Sequence, residues 1–440
     1  MALSGAGAAA AEIEDIHSAV RNMGLGWNLG NTLDAHSGDT LNMWIEHWGS
    51  TRTFADYETA WGQPVTKPAV FRMLKEAGFN AVRIPVTWYP HMEAKFRFTS
   101  SSNSYWYPSK DDIGTKIQKA WMARVKQLVD YALDAGLYCI INVHHDTGAA
   151  NTAWLIADEK VYERECARFE AIWTQIAEEF RNYDGRLLFE GYNEMLDPYR
   201  SWCYASMNTA SKYDYKVSAS AYNAINRYAQ SFVNAVRATG GNNLTRNLIV
   251  TTYGACSGAG SWNDHLTDPL SKMKLPEDIS EGHIAFEIHT YPDVSSIDNC
   301  KNEVSVMISR LKRYLGDKAP VIIGEWGCAD VDDPKASIPM RNRIAFIEHL
   351  VKKSRDAGFA VFYWMGLTDG ADRNVPKWTE PELMKAMVEA WYDGPYDSVS
   401  AIEAGPDDTE PCYDLLGRRA ELPLRPGIYI RGGKKFVVSK

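Results

Sequence analysis

The chain has 440 residues, 45% of them apolar and 23% charged, with a net charge of −9. This ordinary globular composition excludes disorder, collagen-like repeats and disulfide miniproteins, and the acidic balance offers no basic footprint for nucleic acid or anionic lipid. No uncharged apolar run reaches the roughly 18 residues that a membrane helix needs, and the seven dispersed cysteines form neither a Cys-x-x-Cys pair nor a Cys/His cluster.

In chain order, residues 1–20 read as an N-terminal tail or cloning remnant, without the charged region of a complete secretory signal. Gly5-x-Gly7-x-x-Ala10 matches a dinucleotide fingerprint in form only, since no strand precedes it. Short apolar runs then alternate with amphipathic stretches, the pattern of repeated βα units. The strands expected are Leu25–Leu29, Ala81–Pro85, Tyr138–Val143, Leu187–Tyr192, Leu248–Thr251, His283–Ile288, Val321–Ile323 and Val361–Met365. Helices are expected between them at Lys67–Ala77, Lys116–Ala135, Tyr162–Phe180, Ala219–Ala238, Val304–Leu315 and Arg341–Ala357, with Gly78, Gly136 and Gly358 as left-handed stops. Eight such strands predict an α/β fold, a (β/α)8 (TIM) barrel, over residues 21–392; a doubly wound sheet is the structural alternative. A linker rich in Gly, Pro, Asp and Ser follows at 393–408, then a C-terminal β appendage at 409–440. Its hairpin turns at Gly432-Gly433, and a strand near Tyr413–Leu416 would make it three-stranded.

In such a barrel the active site lies at the C-terminal ends of the strands. Two of those ends carry carboxylates, Glu194 after strand four and Glu325 after strand seven. A solvated loop acid is the ordinary reading of either one alone. Each, however, follows an apolar strand directly, and a pair across one rim flanked by aromatics is the apparatus of glycoside hydrolysis. Trp and Tyr together outnumber Phe 38 to 14, and their flat faces with polar edges suit sugar rings. Alternation along strand six puts Glu287, His289 and Tyr291 on one face, and the same parity joins Glu190, Tyr192 and Glu194 on strand four. Glu190 and Glu287 would then lie inside the barrel as structural charges, with Arg83 as partner. His144-His145-Asp146 invites a metal reading, but neighbours on a strand face opposite sides, so no metal is expected. Gly24-x-Gly26-x-x-x-Gly30 has the wrong spacing for a dinucleotide and is better explained by close packing.

From Met23 to Trp391 the chain resembles glycoside hydrolase family 5, particularly its endoglucanase-rich subfamily 4. The motifs that carry the resemblance are Gly26-Trp27-Asn28-Leu29-Gly30-Asn31-Thr32-Leu33-Asp34, Glu58-Thr59-Ala60-Trp61-Gly62-Gln63-Pro64 and Val82-Arg83-Ile84-Pro85-Val86-Thr87-Trp88. It implies Glu194 as acid/base and Glu325 as nucleophile. Asn193 would bond the sugar 2-hydroxyl, Arg83 and Tyr291 would hold the nucleophile ionised, and His289 would sit beside the acid/base. His144 would reach the substrate and Trp364 would floor the −1 sugar, with Asn31 and His145 as further substrate contacts. Trp154 and Trp262 are candidate stacking platforms. Departures from the family pattern are Met195 for proline, Trp326 for phenylalanine and Gln63 for asparagine; they bear on substrate preference more than on mechanism. The resulting expectation is a retaining endo-β-1,4-glucanase without cofactor or metal, monomeric, acting on a β-glucan and on no nucleic acid. Rivals are the same chemistry on xyloglucan, mixed-linkage glucan or mannan, and a non-catalytic carbohydrate-binding barrel. The C-terminal hairpin resembles tails of secreted gut-bacterial polysaccharide-degrading enzymes, so export to the cell surface or medium is expected.

Overall fold

A computed structural model describes residues 13–37, 54–94, 113–201, 213–260, 265–328, 338–364 and 370–396, with short strands at 97–98, 105–106, 412–414, 419–420, 427–431 and 434–438. The chain divides into two compact units, Met1–Asp393 and Gly394–Lys440.

The first unit begins with helix α1 (Ile16–Met23), capped by the Asp15 carboxylate, which accepts from the Ser18 backbone N–H at 2.9 Å. Then come strands β1 (Leu25–Asn28), β2 (Ala81–Ile84), β3 (Tyr138–Asn142), β4 (Leu187–Glu190), β5 (Leu248–Thr251), β6 (Ile284–Thr290), β7 (Val321–Trp326) and β8 (Ala360–Tyr363). They close into one barrel in sequential order, every neighbouring pair parallel. Around it run α2 (Pro68–Glu76), α3 (Lys119–Asp134), α4 (Glu159–Glu179), α5 (Tyr215–Ala238), α6 (Ile297–Leu311), α7 (Met340–Ala357) and α8 (Pro381–Tyr392). This is the (β/α)8 barrel. Gly78, Gly136 and Gly358 do take positive φ just past α2, α3 and α7, where a residue with a Cβ would be strained.

Three boundaries differ from expectation for physical reasons. Residues from Ile16 onward are no loose tail: Ile16, Ala19, Val20 and Met23 pack against Ala81, Ile140, Leu188, Ile249, Ala285, Ile322 and Ala360 in one buried cluster. Those partners start the strands, so α1 plugs the N-terminal mouth of the barrel. Strand β4 stops at Glu190, two residues short, and Tyr192 turns outward, its hydroxyl donated to Ile225 O of α5 at 3.3 Å. The parity that joined Tyr192 to Glu190 and Glu194 therefore fails. Strand β3 likewise ends at Asn142, so strand alternation does not govern His144 and His145.

The second unit is an antiparallel sheet of four described strands, ordered Arg419–Ala420, Cys412–Asp414, Gly427–Arg431, Lys434–Val438. Arg431 pairs with Lys434, as the hairpin signal implies, and Arg419–Ala420 adds a strand to the three expected. Among the described residues no helix is long and apolar enough to cross a membrane.

Candidate active site

Two residues above the apolar plug, the inward positions turn polar. Asn28, Arg83, Asn142, Glu190 and Glu287 all point inside and all are fully buried. A buried charge demands partners, and Arg83 supplies them. Its Nε lies 2.6 Å from Glu190 Oε2 and 3.3 Å from Glu287 Oε1. Its Nη2 donates to Glu190 Oε1 and to Asn193 Oδ1, each at 2.7 Å. Its Nη1 donates to Asn28 Oδ1 at 3.0 Å and to Glu325 Oε1 at 2.7 Å. Burial opposes the guanidinium charge, but Glu190 and Glu287 more than offset it and hold Arg83 well above its ordinary pKa. Burial also raises Glu190 to about 7 against the pull of Arg83. The inward Glu190 and Glu287 with Arg83 as partner thus stand as the sequence implies.

Glu325 reaches the cleft through an irregularity. Ile323 pairs with Ile288 but Glu325 pairs with His289, so Gly324 is an extra residue in β7. Such a bulge re-aims the following side chain; simple alternation from Ile322 would have turned Glu325 outward. Glycine suits position 324, because a Cβ there would overlap the Glu287 carboxylate. The Tyr291 hydroxyl donates to Glu325 Oε2 at 2.8 Å. Glu325 thus accepts from an arginine on one oxygen and a phenol on the other.

Glu194 is placed differently. Its Oε1 meets His289 Nδ1 at 2.8 Å, and among the described residues no arginine bonds it. Burial, and the charge of Glu325, raise its pKa, against the pull of His289. Burial works against a charged His289, but Glu325, Glu194 and Glu287 together raise it to about 10; Glu287 Oε1 lies 3.4 Å from its Nε2. Both shifts have one sense: the Glu194–His289 pair holds a proton. Glu194, His289 and Glu325 each bring one ligand-type atom within 4.8 Å of the others.

Around this centre, His144 and Trp364 lie parallel, interplanar angle 6° at 6.0 Å between centroids. Trp364 packs over Gly30, where a Cβ would meet its ring at 2.7 Å. Asn31 takes φ 55° and donates its backbone N–H to Asp34 at 3.0 Å. His145 lies 4.4 Å from His144 and 4.5 Å from His36, ring to ring. Asp34, His144 and His145 bring ligand-type atoms within 4.8 Å, so the parity argument against a shared cation there does not hold. Trp154 is no platform: it is buried, with its indole N–H donated to Asp146 Oδ1 at 2.7 Å. Trp262 lies outside the described residues. Sequence reasoning singled out neither His36 nor Asn142 for the site; both depend on pairings between strands or loops that no local pattern announces.

Residues 45–367 match the model of the Cellulase family, glycosyl hydrolase family 5. The chain belongs to that family. It is similar to a GH5-4 broad specificity endoglucanase from an uncultured bacterium, 44% identical, with a TM-score of 0.77 over 87% of this chain and 96% of that one. PbGH5A of Prevotella bryantii B14, whose mutant was solved in complex with the xyloglucan tetradecasaccharide XXXGXXXG, is 40% identical with a TM-score of 0.71 over 86% and 99%. Among curated relatives, the cellulase/esterase CelE of Acetivibrio thermocellus is 31% identical over 392 residues, 84% of this chain. The chain spans 40% of the length of that relative.

Proposed function

We propose that this family 5 chain hydrolyses internal β-1,4-glucosidic bonds of cellulose-type β-glucans with retention of configuration. The observation that carries the reading is the asymmetry of the two carboxylates. Glu325, bonded by Arg83 on one oxygen and Tyr291 on the other, is aimed as a nucleophile must be. Glu194, bonded among the described residues by His289 and raised by burial, shares with that histidine the proton a general acid delivers. Glu325 attacks the anomeric carbon while the glycosidic C–O bond breaks and the Glu194 proton passes to the leaving oxygen. Glu194 then takes a proton from water, whose oxygen displaces the Glu325 carboxylate. Oxygen atoms of the two groups lie within 4.8 Å of each other, which supports retention: retaining pairs stand about 5–5.5 Å apart and inverting pairs about 6.5–9.5 Å. Asn193 bonds the 2-hydroxyl of the sugar, while His144, Trp364, Asn31 and His145 line its binding site. A polymeric substrate places the work outside the cell.

The test uses an aryl β-cellobioside whose phenol leaves without an acid. Glu194→Ala gives a burst of phenol, then stalls until azide restores turnover and yields the β-azide. Glu325→Ala gives no burst, and any azide product is the α-anomer. A burst from the Glu325 variant, or exchanged anomers, reverses the two roles. The complex of PbGH5A favours a second reading, the same chemistry on xyloglucan; initial rates on cellulose, xyloglucan, mixed-linkage glucan and mannan rank the four.

A further inference from the structure

Asn142 is the last residue of β3, fully buried, and the chemistry proposed above does not use it. Its side-chain oxygen accepts the Val86 backbone N–H at 3.0 Å. A backbone N–H can only donate, so the orientation of the amide is decided without appeal to the histidine. The amide nitrogen is thereby turned toward two acceptors: Glu190 Oε1 at 2.8 Å and His144 Nδ1 at 3.0 Å. An amide NH2 has two hydrogens and no lone pair. One hydrogen goes to Glu190, and the other requires a lone pair on His144 Nδ1. The proton of a neutral His144 ring must then sit on Nε2. Burial, with His145, Arg83, His289 and His36 nearby, pushes His144 well below its ordinary pKa, so the ring is neutral and the choice of tautomer matters.

We propose that Asn142 is a positioning residue that locks His144 in its Nε2–H tautomer, making it a hydrogen-bond donor to a hydroxyl oxygen of the sugar stacked on Trp364. The inference rests on the reading that a glucan occupies this cleft. The lock runs Val86 N–H, Asn142, His144, sugar, and branches through Glu190 to Arg83 and the nucleophile. The same lock leaves no lone pair on His144 Nε2 for a cation beside Asp34 and His145, so the subsite is committed to an oxygen acceptor.

The tautomer is measured on the unliganded enzyme labelled with 15N-histidine, the His144 signals being those lost in His144→Gln. Wild type shows Nε2–H and an unprotonated Nδ1; an Nδ1–H tautomer overturns the proposal. Asn142→Asp presents an acceptor in the same shape, so the ring switches to Nδ1–H, and retention of Nε2–H overturns the proposal. In a Glu325→Gln background, Asn142→Asp weakens cellotetraose binding about tenfold, the order of one lost hydrogen bond. Unchanged affinity with a switched tautomer means Nε2–H does not face the sugar, which also overturns it. Because wild type is read without substrate or turnover, the tautomer stands or falls separately from whether the chain cleaves glucan. If Asn142→Asp does not fold, the wild-type spectrum still decides.

Discussion

Two layers inside one barrel, built by the same strands two residues apart, solve burial in opposite ways. The lower layer joins Ala81, Ile140, Leu188, Ile249, Ala285, Ile322 and Ala360 to the apolar face of α1. It is held by removing hydrocarbon from water. The upper layer sets Arg83 among Glu190, Glu287 and Glu325. It is held by charges that are tolerable only because each has partners. The lower layer can lose a methyl group and remain a barrel. The upper layer cannot lose one partner without stranding another.

The largest effect expected separates chemistry from fold. Glu325→Gln removes the nucleophile and one charge, and hydrolysis falls by more than about 10³-fold while circular dichroism is unchanged. Residual hydrolysis within tenfold of wild type breaks the assignment of the upper layer. Arg83→Met strands Glu190 and Glu287, so denaturant melting shows a loss of about 3–5 kcal/mol; a neutral or stabilising result means the carboxylates are protonated and the layer is not ionic. In the lower layer, Ile16→Ala costs about 2–5 kcal/mol, yet the folded enzyme keeps its specific activity within about twofold. A matching loss of turnover would show that the two layers are coupled.

The pH prediction concerns His289, raised from 6.5 to about 10 in the folded chain. Its contribution is fully present below about pH 6.5 and is lost as pH rises through about 10. Wild type should therefore lose stability over that interval, and His289→Gln should lose less of it in urea melts at pH 6.5, 8 and 10. Parallel curves for the two proteins contradict a charged His289. The smallest effect is expected outside the barrel. Deleting residues 396–440 leaves specific activity within about twofold, since every site residue named lies earlier in the chain; a tenfold fall with the barrel still folded assigns the tail a part in the site.

Much of this could be read before folding, because strand and helix periodicity are local. All eight barrel strands and five of the six helices expected between them stand within a few residues of their predicted places, while the helix expected at Val304–Leu315 begins seven residues earlier, at Ile297; the rim residues follow from where strands end. The family motifs add the identity of the two glutamates. What escaped was non-local. Ile16–Met23 is amphipathic, but only a barrel mouth explains what its apolar face covers. Trp154 has the composition of a platform, and only Asp146 eight residues away turns it inward.

Spacing along single segments sets the alternation of strands and helices, the rim carboxylates and the inward placement of Glu190 and Glu287. Only the tertiary structure decided that Glu325 faces the cleft, that Tyr192 does not, and which His144 nitrogen meets Asn142. Those outcomes turn on a one-residue slip between β6 and β7, on β4 ending at Glu190, and on a backbone N–H from Val86. Each is a relation between strands or loops distant in sequence, and no single segment encodes its neighbour's register.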